Sequence, residues 1–403
     1  MIKTRYYLFI LMAFAFAACA SDSDLLPIGE GDTDIMMPEE TEGVYGNTPM
    51  LEYAGAPITR SSLTYDYNTK RLLFSWEDND VVGVFPEGDN KGDNKSQQIN
   101  YIISEIISPL RARFKQADPG VTHEIQKGKK YFSYKPAIDN YEGSSSEIPV
   151  SFDNQYQDSY VNMKDYWDSL KENKGNGDEY KASEVKASKY LPKFNFEVSS
   201  GVSPSDNNIY FNYTRLSSFV RLYLKVTEEA TYDSIIILNK DADFFIKGTM
   251  DISESDAAES FKPTETRHYV TLRLGNRTEE NGVVKYKGFK IWNDVSTENK
   301  CDMWSATKKA GYIVAYMAFA PIKLTHLPNQ CTLYLLGHDE SNNKKYYRAK
   351  DPLSRYDIDQ NVTLQWAPAE NTIDDPIEVI HVDVEVWKAD MNFDNDGTGT
   401  EDW

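Results

Sequence analysis

Short runs of alternating or β-branched residues, each closed off by Gly, Asn, Asp or Pro, recur along the body of the chain. They are Val81–Phe85, Lys130–Lys135, Glu147–Phe152, Ile209–Tyr213, Phe219–Val226, Ser234–Leu238, Tyr269–Leu274, Val283–Ile291, Gly311–Ala318, Cys331–Leu336 and Asn361–Trp366. A period of two sends alternate side chains to opposite faces, so each run reads as a strand. Many short strands at regular spacing are the pattern of β-sandwiches, and they predict an all-β fold. Helical periodicity is scarce and is confined to Gln97–Leu110 and the stretch around Val161–Leu170.

A chain of 403 residues is long enough for two such domains. Between Leu170 and Lys189 it is rich in Lys, Glu, Gly and Asn, and Ser199–Asp206 is turn chemistry with almost no apolar content. A linker near residue 200 is therefore expected, dividing an N-terminal β-sandwich over 49–200 from a C-terminal one over 201–403. The alternative is a single large domain with one long loop, which is uncommon at that length.

The net charge of −20 argues against nucleic acid or an anionic membrane surface as partner, because phosphate binding needs a basic face. Catalytic constellations are absent from the sequence. His123, His268, His326, His338 and His381 lie far apart without metal-ligand spacing. There is no nucleophile elbow and no phosphate-cradling glycine loop. The reading is of a protein that is not an enzyme and carries no metal or cofactor.

The N-terminus is built like a secretory signal. Lys3 and Arg5 precede an apolar run, Tyr6–Phe16, which ends in Ala17-Ala18-Cys19. Residues 1–18 are read as a signal peptide, and the two alanines before Cys19 resemble a bacterial lipobox, in which the cysteine is diacylated. Residues 19–48 are acidic and poor in branched apolar side chains, and are read as a tether. The acidic pair Asp22 and Asp24 is similar to the export signal of Bacteroidetes surface lipoproteins, though less dense. A periplasm-facing anchor is the alternative.

Of 3 cysteines, Cys301 and Cys331 are left after lipidation, and they are either a disulfide in an oxidising compartment or two small buried hydrophobes. The tail Asn392–Gly397 mimics the start of an EF-hand loop, but the twelfth position is Trp403 and offers no bidentate carboxylate, so it is read as a solvated acidic tail. Glu87–Asn94 is read as a surface turn.

Several motifs, in order, resemble the fimbrillin-like lipoproteins of Bacteroidetes. They are Ile58-Thr59-Arg60, the strand Asp80-Val81-Val82-Gly83-Val84-Phe85, Gly128–Pro136, Glu147–Val150 with Gln155, Phe211–Phe219 and Ala315–Pro321. Val161–Pro204 does not align. The resemblance implies two transthyretin-like β-sandwich domains and a role as a structural subunit or adhesin of a type V pilus, or fimbrium, at the outer membrane. In that system an arginine-specific protease removes the first strand, and the open groove accepts a strand from another subunit.

The candidate cut is at Arg60, after the strand-like Met50–Ile58; the alternative is an uncut arginine at a strand edge. The candidate donor strand lies within 377–388, where Ile380, Val382, Val384 and Val386 share one face. That pattern equally suits the last strand of the chain's own domain. The partners expected are other pilus subunits, the outer membrane through lipid on Cys19, and a host receptor or glycan. A monomeric surface lipoprotein that binds glycans through exposed aromatic rings is the alternative function.

Overall fold

The computed structural model describes residues 43–47, 64–66, 71–73, 75–88, 98–108, 110–117, 125–139, 141–169, 177–239, 243–254, 257–281, 283–293, 301–320, 331–349 and 378–386. The expected all-β class holds: among these residues strands dominate and the helices are short. None of the described helices is long and apolar enough to cross a membrane.

The N-terminal part contributes β1 (Gly43–Asn47), β2 (Thr64–Asp66), β3 (Arg71–Leu73), β4 (Val81–Pro86), β5 (Ile99–Ser108), β6 (Arg111–Gln116) and β7 (Lys130–Lys135). Next come β8 (Ile148–Ser151), β9 (Gln155–Gln157) and two helices, α1 (Met163–Ser169) and α2 (Asp178–Ser188). After them lie β10 (Glu197–Val202), β11 (Asn208–Asn212), β12 (Thr214–Arg215) and β13 (Ser218–Val226). One sheet has the order β11-β1-β6-β5-β4-β7-β10-β12.

That sheet is buried on both faces where β4, β7 and β10 lie. Val82, Val84 and Tyr131 join a smaller core with Trp76 and Phe114, whereas Phe85, Phe132, Tyr134 and Val198 join a larger core. Burial on both faces is why Val81–Phe85 is continuously apolar.

The remaining strands are β14 (Ala230–Asn239), β15 (Phe244–Met250), β16 (Phe261–Arg267), β17 (Tyr269–Leu274), β18 (Arg277–Glu280), β19 (Val283–Tyr286), β20 (Phe289–Ile291), β21 (Trp304–Ser305), β22 (Ala310–Phe319), β23 (Cys331–His338), β24 (Lys344–Ala349) and β25 (Glu378–Val386). The second large sheet runs β21-β22-β13-β25-β24-β23-β14-β17-β9, with β20 beside β14. Every residue of β22 is buried. Its outer edge is closed by side chains: the Gln155 amide donates to the Ala318 carbonyl and accepts from the Ala318 N–H, both at 2.8 Å. Gln157 does the same, donating to the Val314 carbonyl at 2.9 Å and accepting from the Tyr316 N–H at 3.2 Å. Two glutamines thus pair backbone groups of Val314, Tyr316 and Ala318 along that edge, as a neighbouring strand would.

Three expectations change here. The division near residue 200 does not follow the sheets: β8 and β9 pair with β15 and β17, while β10, β11 and β12, on both sides of residue 200, return to the first sheet. The described residues from Gly43 onward fall in one compact unit. Within Gln97–Leu110, Ile99–Ser108 is strand β5 and not helix, because Ile99, Tyr101 and Ile103 are buried at a spacing of two. Gly43–Asn47, the last part of the expected tether, is strand β1.

Candidate functional site

The first strand is held on both sides. β1 runs parallel to β11, from Gly43 opposite Asn208 to Asn47 opposite Asn212, and antiparallel to β6, with Val44 opposite Phe114. It therefore separates β11 from the rest of the sheet. Without β1, the facing edges of β11 and β6 would stand roughly 10 Å apart with their hydrogen-bonding groups unpaired.

The two faces of β1 are filled differently. Val44 enters the smaller core with Trp76, Phe114, Phe211 and Tyr213. Gly46 lies on the same face, over the rings of Phe114 and Tyr213. On the other face Tyr45 is only 2% exposed. Its ring stacks on Tyr210 at 5.1 Å and 11°, and the Arg111 and Arg113 guanidinium groups lie 5.8 and 5.7 Å from its centroid. Five residues are thereby fixed by two hydrogen-bonded ladders, an aromatic stack and two cation–π contacts.

Trp76 forms the floor. Its Nε1 donates to the Leu110 carbonyl at 3.0 Å, and its ring meets Phe114 edge-on at 5.1 Å. The Lys135 ammonium sits 3.9 Å above that ring and pairs with Glu197 at 2.8 Å. Arg215 lies 3.4 Å from the same carboxylate, and the Asn195 amide donates to it at 2.9 Å. The Glu197 side chain is wholly buried. Burial alone would push its carboxyl up, but Lys135 and Arg215 together hold it below the ordinary carboxylate range.

A carboxyl depressed in the folded state stabilises the fold above its unfolded value and loses that contribution as pH falls through the folded value. The urea midpoint is accordingly expected to drop between pH 7 and pH 3 by a larger margin in the native chain than in Glu197→Gln. Equal acid slopes would contradict this assignment. Beside the network lies a cavity of about 280 Å3, lined in part by Ser75, Asn79, Asp80, Asp139 and Asn195.

Cys19, Arg60 and the tail Asn392–Gly397 lie outside the described residues, as does most of the Glu87–Asn94 turn. Ile380, Val382, Val384 and Val386 belong to β25, which sits between β13 and β24 of its own chain. β25 runs parallel to β13, with Leu222 opposite Ile380 and Leu224 opposite Val382, and antiparallel to β24. Among the described residues, His338 meets the Asp233 carboxylate at 2.8 Å and His268 meets the Asp243 carboxylate at 3.0 Å. Among the described residues there is no cluster of three or more metal-ligating side chains.

The disulfide between Cys301 and Cys331 is not made. Cys301 is a buried free thiol whose Sγ lies 3.9 Å from the Lys290 carbonyl. Lys290 is opposite Thr231 at one end of β14, while Cys331 is opposite Asn239 at the other. Eight residues of strand span roughly 27 Å, far beyond the Cα separation of about 7 Å that a bridge tolerates. Burial pushes the Cys301 thiol pKa up, the mark of an inert packed cysteine.

Sequence reasoning missed β1 because Val44 and Tyr45 are two apolar residues in an acidic context. It also missed the network of Lys135, Glu197 and Arg215, whose members are distant in sequence and share no motif.

No protein-family model and no curated protein matches the chain. Solved structures do resemble it. A candidate cell adhesion protein from Bacteroides ovatus is 12% identical with a TM-score of 0.36, over 77% of this chain and 86% of that one. Another, from Bacteroides uniformis, is 10% identical with a TM-score of 0.37, over 68% and 78%. The fimbrial anchor protein Mfa2 from Porphyromonas gingivalis is 7% identical with a TM-score of 0.29, over 75% and 79%.

Proposed function

We propose that the chain is a structural subunit or adhesin of a cell-surface fimbrium, exported as a lipoprotein on Cys19 and joined to neighbouring subunits by strand exchange at the position of β1. The observation that carries this reading is the placement of β1 inside its sheet, bonded on both sides, on the N-terminal side of Arg60. A cut at Arg60 severs the covalent link between β1 and the body. The strand is then held by its ladders and side chains alone, and a strand from another subunit that restores the same bonds replaces it at little net cost.

The fimbrillin-like order of motifs in the sequence supports the same role. Donation by β25 requires that strand to leave β13 and β24, so acceptance at the β1 position is the better-founded half of the device. The glycan-binding alternative keeps one foothold, the cavity lined in part by Asp80, Asp139 and Asn195. Arg60→Ala separates the two. Native protein from the cell surface is expected to run as a heat-dependent ladder on gels and the variant as a monomer. A monomer in both cases sinks the fimbrial reading.

A further inference from the structure

Strand exchange leaves open which strands the β1 position admits, and the answer rests on that reading of the site. A β-carbon at Gly46 would lie 2.9 Å from Phe114 Cε2, 3.0 Å from Tyr213 Cε2 and 3.4 Å from Trp76 Cζ2. The first contact is closer than real β-carbons come, and a branched side chain would add atoms beyond it. None of the three rings is free to swing aside. All are buried, at 4% exposure or less. The Tyr213 hydroxyl is bonded to Ser133 at 2.6 Å, and the Trp76 indole is bonded to the Leu110 carbonyl. Gly46 does not occupy the left-handed region, so what the position demands is space.

We infer that Gly46 marks a size filter: the slot admits an extended segment with glycine at this position, a β-branched residue two places before it and an aromatic ring between. The aromatic ring reproduces the stack on Tyr210 between Arg111 and Arg113. The filter excludes the chain's own β25. Glu378–Val386, with the sequence Glu-Val-Ile-His-Val-Asp-Val-Glu-Val, contains no glycine, so a residue with a β-carbon would stand at the Gly46 position whichever way it is placed. No register, in either direction, avoids the clash. The occupant is therefore a glycine-bearing strand of a different subunit, and the chain does not form homopolymers through β25.

Two measurements test this. In the uncut chain, Gly46→Ala is expected to lower the urea midpoint and Gly46→Val to lower it further, with Phe114→Ala recovering part of the valine loss. A Gly46→Val chain at the native midpoint overturns the filter. In the full chain nicked at Arg60, a labelled peptide of residues 42–48 is expected to displace β1 about tenfold or more better than its Gly46→Val form or a peptide of residues 377–388. Equal uptake of all three overturns the filter. Uptake of none overturns the exchange reading instead, and the midpoint of Gly46→Val then decides the filter alone.

Discussion

Arg221→Met is expected to destabilise the fold by about 3 to 5 kcal/mol, because it leaves a carboxylate buried without its counter-charge. Arg221 projects from β13 and is 3% exposed; Glu184 on α2 is 4% exposed. The guanidinium donates to Glu184 Oε1 through Nη2 at 2.7 Å and through Nε at 3.0 Å. Its Nη2 also donates to the Tyr180 hydroxyl at 2.8 Å, and the Tyr316 hydroxyl donates to the same carboxylate oxygen at 2.6 Å. The cluster pins α2, which lies in the stretch that matches no motif, to β13 and β22. Paired replacement, Arg221→Met with Glu184→Leu, removes both charges and is expected to recover most of the loss. Urea unfolding of the single and double variants measures this, and a single-variant loss below about 1 kcal/mol would contradict it.

Trp76→Ala is expected to cost about 3 to 5 kcal/mol and to loosen the first strand as well. The indole is 2% exposed and meets Phe114 on β6, Tyr213 after β11 and Lys135 on β7. Removing it opens a cavity beneath Val44 and Gly46 and takes the aromatic face from the Lys135 ammonium. The unfolding midpoint reports the first effect. The rate at which β1 leaves a chain nicked at Arg60 reports the second. A variant that unfolds earlier but releases β1 at the native rate would show Trp76 to be core packing without a part in holding the strand.

Much of the strand content is legible because burial imposes a period of two that side chains cannot disguise. Tyr269–Leu274 alternates buried and half-buried residues, and Ile235–Leu238 is apolar throughout because Ile235 and Ile237 face one core and Ile236 and Leu238 another. Val283–Ile291 reads as one strand and is two, since Gly288, at φ 68°, turns the chain between them. Helix α2 reads as a linker because its buried face is Tyr180, Glu184, Ala187 and Ser188, which has helical spacing but little apolar character. Glu184 looks like a surface residue until Arg221 is placed beside it. The two cysteines look like a bridge for the opposite reason, since sequence position says nothing about which end of a strand each one faces.

The site divides the same way. Alternation along Ile380–Val386 reveals a strand but not its partners, and pairing with β13 and β24 is a property of the whole sheet. β1 is short, and its hold comes from Phe114, Tyr210 and Tyr213, none of which is near it in sequence.

The fimbrial role turns on whether β1 is given up. The most direct measurement is the N-terminal residue of the chain recovered from surface polymers, by sequencing or intact mass. Strand exchange after a cut at Arg60 predicts Ser61, with residues 19–60 absent and a strand from another subunit in the place of β1. A chain that still begins at lipidated Cys19, with β1 in its own sheet, would contradict it.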